Sequence, residues 1–323
     1  MTPNNQDGRA PISPGDAQQH ELVDPKWLAK AVAITIVAAA VAGYFAFCFL
    51  FYQGQWQIVL HPTPMQAVPA KLLPAHEDVR FAVNSAGAPT MHGWWIPAEA
   101  NAARPGVLLV YFPGGSGALS NRVPRVVYLH QQQVAVFAFD YRGFGDSEKM
   151  HPSQTSISQD AQSVVEYLTQ TRHVPLSQMV FYGEGIGGFA ATQAAAQNPG
   201  VAAVALSDPQ ISQRSVFEAD PRTHLLPLNL LLRDDFSLGP ALRQMRSSTL
   251  VMSTLATDQS RKEAQQVYDA IRAPKQILDA PAGAGTEALT ADFNAFIART
   301  FPLKDVTPAG PGSDAATSPR PEK

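Results

Sequence analysis

The segment Tyr182-Gly183-Glu184-Gly185-Ile186-Gly187-Gly188 has the spacing of G-x-S-x-G, the turn in which a strand delivers a nucleophilic serine to the start of a helix. Glycine stands at the nucleophile position, Gly185. It has no side-chain atom to attack a carbonyl, so acyl transfer loses its first participant. The backbone logic survives: a residue with a Cβ occupies the left-handed conformation of such a turn at a cost of roughly 1–3 kcal/mol, and glycine relieves it. Gly183, Gly185 and Gly188 also satisfy G-x-G-x-x-G, which on this segment alone leaves a dinucleotide loop open. That alternative needs an acid at the end of the next strand to hold a ribose, and Asp208 lies at about the right distance.

Two loops upstream bear on the choice. Tyr111-Phe112-Pro113-Gly114-Gly115-Ser116-Gly117-Ala118-Leu119-Ser120-Asn121-Arg122-Val123-Pro124 follows an apolar run, Val107 to Phe112, and Phe139-Asp140-Tyr141-Arg142-Gly143-Phe144-Gly145-Asp146-Ser147 follows another, Val134 to Phe139. Together with the glycine turn, in this order, they resemble the α/β-hydrolase superfamily. The nearest branch in appearance is its membrane-anchored group of lipase-like, depalmitoylase-like and serine-aminopeptidase-like proteins, whose loops read F-H-G-N-x-G-N-L-S-x-R-x-P and D-Y-R-G-x-G-x-S. The second loop matches closely; the first carries Pro113 for the histidine and Gly115 for the asparagine. Leu228 to Phe236 resembles the segment before the acid-bearing strand of that branch, and the likeness runs from about Gln55 to Phe301. It argues against the dinucleotide loop and a nucleotide-dependent oxidoreductase.

The resemblance implies a triad in the order Ser, Asp, His. The serine position is Gly185. For the acid, the run Thr249 to Met252 leads into Ser253-Thr254-Leu255-Ala256-Thr257-Asp258, where a gapless register puts Thr257 in place and a one-residue slip recovers Asp258. The histidine that closes a G-A-G-H turn is replaced in Gly283-Ala284-Gly285-Thr286. A Thr286 hydroxyl cannot take a proton from another hydroxyl near neutral pH. Loss of serine or histidine alone costs on the order of 10⁶ in kcat, roughly 8 kcal/mol. Oxyanion donors and binding then leave about 10³-fold over water. Those donors are backbone amides, so Gly114, Gly115 and Ile186 are expected to keep a hole that binds a carbonyl or carboxylate.

Displaced chemistry would have to come from Ser116, Glu184, Asp208, His151 or His224. Each has a plainer role: Ser116 as a small loop residue, Glu184 as a charge favoured at a helix N-terminus, Asp208 as a turn former before Pro209, and the two histidines as surface or packing residues.

The elements that must position these residues are legible as alternating strands and helices. Val107 to Phe112, Val134 to Phe139, Met179 to Tyr182, Val201 to Leu206 and Thr249 to Met252 are short apolar runs bounded by turns, the pattern of buried parallel strands. Ser156-Ile157-Ser158-Gln159 suggests a capping box before Ile157, Ala161, Val164, Val165 and Leu168 at helical spacing, and Ile186 to Gln197 forms a helix ended by Pro199-Gly200. The fold class is α/β, a doubly wound, mostly parallel sheet. Residues 210–238 stand where hydrolases insert a cap.

Ala31 to Tyr52 contains no charged residue, and its 22 residues reach about 33 Å as a helix, enough to cross a bilayer. Lys26 and Lys30 precede it, Trp27 and Trp56 flank it, and no positive charge follows through Leu60. The expected organisation is a disordered cytoplasmic arm (1–26), a transmembrane helix (27–52), an exported hydrolase-fold domain (55–302) and a disordered tail (303–323). A cleavable signal peptide is the alternative, with Ala40-Val41-Ala42 as its site; ten further apolar residues favour an uncleaved anchor. The lone cysteine, Cys48, excludes an internal disulfide. No Cys/His cluster suggests a metal, no cofactor is implied, and a net charge of −3 gives no nucleic-acid face. The expected function is a membrane-anchored pseudo-enzyme with a binding or scaffolding role toward an acyl or carbonyl-containing ligand or an unidentified partner. The alternative is an active hydrolase of esters, thioesters or amides with a displaced nucleophile.

Overall fold

A computed structural model describes residues 24–83, 87–255, 257–281 and 286–302. The expected N-terminal arm before Asp24, the Gly283-Ala284-Gly285 turn and the 303–323 tail lie outside the described residues. The chain divides into two compact units, Met1–Phe51 and Tyr52–Lys323.

The first unit is helix α1 (Pro25–Gly54), which continues three residues into the second. It is 30 residues long, exceeds the predicted span by two residues at each end, and is long and apolar enough to cross a membrane. It fits a single-pass anchor or a signal sequence.

The second unit opens with the short helix α2 (Trp56–Val59) and β1 (His61–Pro62), followed by β2 (Glu77–Ala82), β3 (Pro89–Ile96), β4 (Leu108–Phe112), β5 (Ser116–Gly117), α3 (Val123–His130) and β6 (Ala135–Asp140). Next come α4 (Gln154–Glu166), β7 (Met179–Glu184), α5 (Gly187–Gln197) and β8 (Ala203–Ser207). After β8 an excursion carries α6 (Arg214–Ala219) and α7 (Leu228–Leu231); α8 (Gly239–Gln244), β9 (Ser248–Ser253), α9 (Asp258–Ala270), β10 (Lys275–Asp279) and α10 (Thr290–Thr300) complete the fold. The sheet order is β10-β9-β8-β7-β4-β6-β3-β2, with the β2–β3 and β3–β6 pairs antiparallel and the other five pairs parallel.

Every residue of β4, β6 and β8 is buried, because helices cover both faces of the parallel strands. On one face Leu109, Tyr111, Val136, Val180 and Tyr182 share a core with Val126 and Leu129 of α3 and Phe293 and Ile297 of α10. On the other, Phe112 packs edge-on against Phe139 and Phe181, with ring centroids 5.5 and 5.1 Å away. The predicted strands are present with ends shifted by one or two residues.

The capping box, by contrast, starts at Ser153 rather than Ser156. Ser153 Oγ accepts from the Ser156 amide, and Ser156 Oγ accepts from the Ser153 amide at 2.8 Å, so Ser156 is the third helical residue, not the cap. The helical stripe itself, Ile157, Ala161, Val164, Val165 and Leu168, is buried as its spacing predicts.

Candidate functional site

The strand-to-helix turn after β7 explains its glycines one at a time. A Cβ on Gly183 would stand 2.7 Å from the Gly187 carbonyl oxygen, and one on Gly187 would stand 2.0 Å from the Phe112 oxygen, so neither position tolerates a side chain. A Cβ on Gly188 would make ordinary contacts at 3.7 Å. Gly185 differs from all three: its φ is +54°, yet a Cβ there would meet nothing within 4 Å. The turn therefore keeps open the space that a serine side chain would fill. Its backbone is tied down by the Gly185 amide donating to Ser207 O (3.0 Å), Gly188 to Gly185 O (3.0 Å) and Phe189 to Ile186 O (2.9 Å). The Ile186 amide precedes α5, where helical N–H groups have no partner within the helix.

The loop after β4 faces this turn. A Cβ on Gly115 would come within 2.9 Å of Ile186 Cδ1 and 3.0 Å of Leu60 Cδ2, and one on Gly114 within 3.3 Å of the Glu184 oxygen. Gly114, Gly115 and Ile186 are thus neighbours. The His61 amide donates to Gly115 O at 2.7 Å, and β1 pairs with β5 in parallel register, His61 with Ser116 and Pro62 with Gly117.

Glu184 is not a helix N-terminal charge, as its position before the helix suggested. It ends β7, accepts from the Tyr111 hydroxyl at 2.5 Å, and lies 3.4 Å from Arg122 Nη1 and 3.5 Å from Arg125 Nε. Burial, and then the Glu184 charge, hold the Tyr111 phenol well above its ordinary pKa, so it stays protonated and donates. A carboxylate so engaged has no free role as a base.

The acid positions are also occupied by structural work. Thr257 caps α9, its Oγ1 accepting from the Ser260 amide at 3.1 Å. Asp258 is the first residue of α9; its carboxylate is fully exposed and pairs with Arg261 at 3.4 Å, turned to solvent rather than toward the sheet. The slip that recovers an aspartate therefore recovers a helix-terminal charge, which the dipole favours there. Asp208, with φ +46°, is the carboxylate the structure brings to this corner. Its Oδ1 accepts from the amides of Thr254 (2.8 Å) and Leu255 (3.0 Å) and from Ser260 Oγ (2.7 Å), and its Oδ2 from Thr254 Oγ1. It bolts the end of β8 to the loop after β9, a role beyond the turn former its sequence context indicates, and leaves no acceptor for a ribose.

Thr286 opens a single 3-10 turn, Thr286–Leu289, before α10. The other candidates are dispersed. Ser116 is exposed and receives Arg122 Nη2 at 3.3 Å; His151 stacks on Trp56 at 5.2 Å; His224 is exposed. Among the described residues, histidine rings bond to Pro74 O, Asp78 and Pro97 O, and none bonds to a serine hydroxyl. Nor, among them, does any group of three His, Cys, Asp or Glu residues stand ready to hold a metal.

The D-Y-R-G-x-G-x-S loop is a clamp. Asp140 Oδ1 accepts from the Leu119 amide at 2.9 Å, fixing the far end of the oxyanion loop, and a Cβ on Gly145 would lie 1.9 Å from Asp140 Oδ2. Arg142 donates through its amide (2.8 Å) and Nε (2.6 Å) to the fully buried Asp160 of α4. Burial outweighs the Arg142 charge and raises the Asp160 carboxyl from 3.8 to about 6. Ser147 Oγ donates to Asp140 O and accepts from the His92 amide, joining the loop to β3. A polar recess of about 880 Å³ lies elsewhere, between α4, α5 and the β2–β3 turn; no residue of the glycine turn or the oxyanion loop lines it.

Comparison with known proteins agrees with this geometry. A protein of Mycobacterium tuberculosis is 28% identical over 222 residues, 68% of this chain and 75% of that one. The α/β-hydrolase domain-containing protein WAV2 of Arabidopsis thaliana is 29% identical over 132 residues, 41% of each. An α/β hydrolase of Vibrio vulnificus superposes with a TM-score of 0.56 at 16% identity, covering 70% of this chain and 81% of that chain, and an esterase of Pyrococcus furiosus with 0.54 at 15%, covering 75% and 98%. These solved structures share the fold. Residues 105–278, from the strand before the oxyanion loop to β10, match the family model described as serine aminopeptidase, S33, and with the glycine turn, the oxyanion loop and the D-Y-R-G clamp in place the chain belongs to that family of α/β hydrolases.

Proposed function

We propose that this is a non-hydrolytic member of its family, a membrane-anchored protein whose former active site retains a ligand or supports a partner. The observation that carries the reading is Gly185: the turn has the conformation and the vacant space for a nucleophile and no atom to fill it. The absence of any serine–histidine hydrogen bond among the described residues argues in the same direction. The backbone amides of Gly114, Gly115 and Ile186 are suited to a carbonyl or carboxylate of an acyl compound. Residues 31–52 anchor the chain, with the N-terminal arm in the cytoplasm and 55–302 exported, on the strength of the Lys26 and Lys30 flank.

The test is hydrolysis of p-nitrophenyl butyrate by the whole chain in detergent, beside a Gly185→Ser/Thr286→His variant. The native chain is expected to match the buffer rate and the variant to exceed it. Esterase-like turnover by the native chain refutes the reading.

A further inference from the structure

Among the described residues of the second unit, the two most exposed large apolar side chains lie five residues apart in one excursion, Leu225 at 78% and Leu230 at 81% of full exposure. Burial of a leucine is worth about 1.5–3 kcal/mol, so a pair this exposed to water invites a cover. We infer that the cover is the bilayer: Leu225 and Leu230 insert among the acyl chains of the leaflet from which the chain emerges, which takes α1 as the anchor proposed above.

The position of the excursion carries this choice. Gln55 is the first residue after α1 and is completely buried. Its Nε2 donates to Leu231 O at 3.2 Å, and its Oε1 accepts from the amides of Arg233 (2.8 Å) and Asp234 (3.2 Å). The loop bearing Leu230 is thereby fastened to the chain three residues past Tyr52, the end of the uncharged run, about 5 Å along a helix. A hydrocarbon surface is the one partner whose nearness to Gln55 the covalent chain guarantees.

Side chains around the fastening suit a headgroup layer. The Arg233 guanidinium lies over the Tyr52 ring at 4.7 Å, a cation and an aromatic of the kind that settles at such an interface, and Arg222 on the same excursion is exposed while paired with Asp220.

The full chain with its lone cysteine removed (Cys48→Ser) and Leu230→Cys introduced, labelled with an environment-sensitive thiol fluorophore, tests this in phosphatidylcholine liposomes with brominated acyl chains. Gln131→Cys is the reference; it is exposed at the opposite end of the parallel strands, four residues before β6, a strand length of about 20 Å away. The label at position 230 is expected to be quenched by brominated lipid several-fold more than that at 131. Equal quenching, in chains that resist alkaline carbonate extraction, overturns the insertion and leaves the anchor standing. Blue-shifted emission without lipid quenching marks a protein cover, such as a second copy, and also overturns it. Release of the chain by carbonate overturns the anchor and the insertion together.

Discussion

Replacing Gly185 by serine and, separately, Gly187 by serine separates two reasons for a glycine within three residues. At Gly185 the only obstacle is the left-handed backbone, φ +54°, since the added Cβ meets nothing within 4 Å. That conformation costs a residue with a Cβ roughly 1–2 kcal/mol. At about 2–4 °C per kcal/mol for a domain of this size, the melting temperature should fall by roughly 2–8 °C. At Gly187 the Cβ would lie 2.0 Å from Phe112 O and 2.5 Å from Pro113 O, both backbone atoms, the first belonging to the last residue pair of the β4–β7 ladder. That variant should fail to yield folded protein. The assay is thermal unfolding by near-ultraviolet circular dichroism in one detergent. Equal damage from the two substitutions, or a tolerated Gly187→Ser, would refute the claim that the turn preserves an open nucleophile position.

Asp208→Ala leaves the Thr254 and Leu255 amides and the Ser260 hydroxyl without their acceptor; urea denaturation should show a loss of about 2–4 kcal/mol, against roughly 1 kcal/mol for the Thr257→Ala cap. Asp160 titrates higher when folded (about 6) than its ordinary 3.8, so its contribution to stability is full below about pH 4 and is lost as pH rises through about 6. Unfolding free energy should carry a downward slope of up to about 3 kcal/mol across that window, and Asp160→Asn, though less stable overall, should flatten it. Gln55→Ala removes the acceptor for Arg233 and Asp234 and should raise amide hydrogen exchange in 225–236 more than in the sheet.

The parallel core was legible because a strand buried on both faces must be written almost wholly in apolar residues, as in Leu108–Phe112 and Ala203–Ser207. The edges were not. Glu77–Ala82 is exposed at three of its six positions, and Lys275–Asp279 has no fully buried residue, so their strand character comes from pairing with β3 and β9 rather than from pattern. At the site, the missing serine could be read directly, since one position decides it. The part played by Asp208 could not: its partners are 46 to 52 residues away, and a side chain that bolts two loops leaves no periodic trace. Asp258 misled for the opposite reason. A carboxylate at the right distance from a strand is also what a helix N-terminus selects.

The junction at Gln55 also bears on what would follow if a protease freed the domain from its helix. A cut between Gly54 and Gln55 would release a fragment that still carries the glutamine staple, the Trp56–His151 stack and the His61–Gly115 bond. A cut beyond Pro62 would instead strip the strand from Ser116–Gly117 and Leu60 from Gly115. The eight residues from Gln55 to Pro62 therefore divide a shed form that keeps these ties from one that loses them.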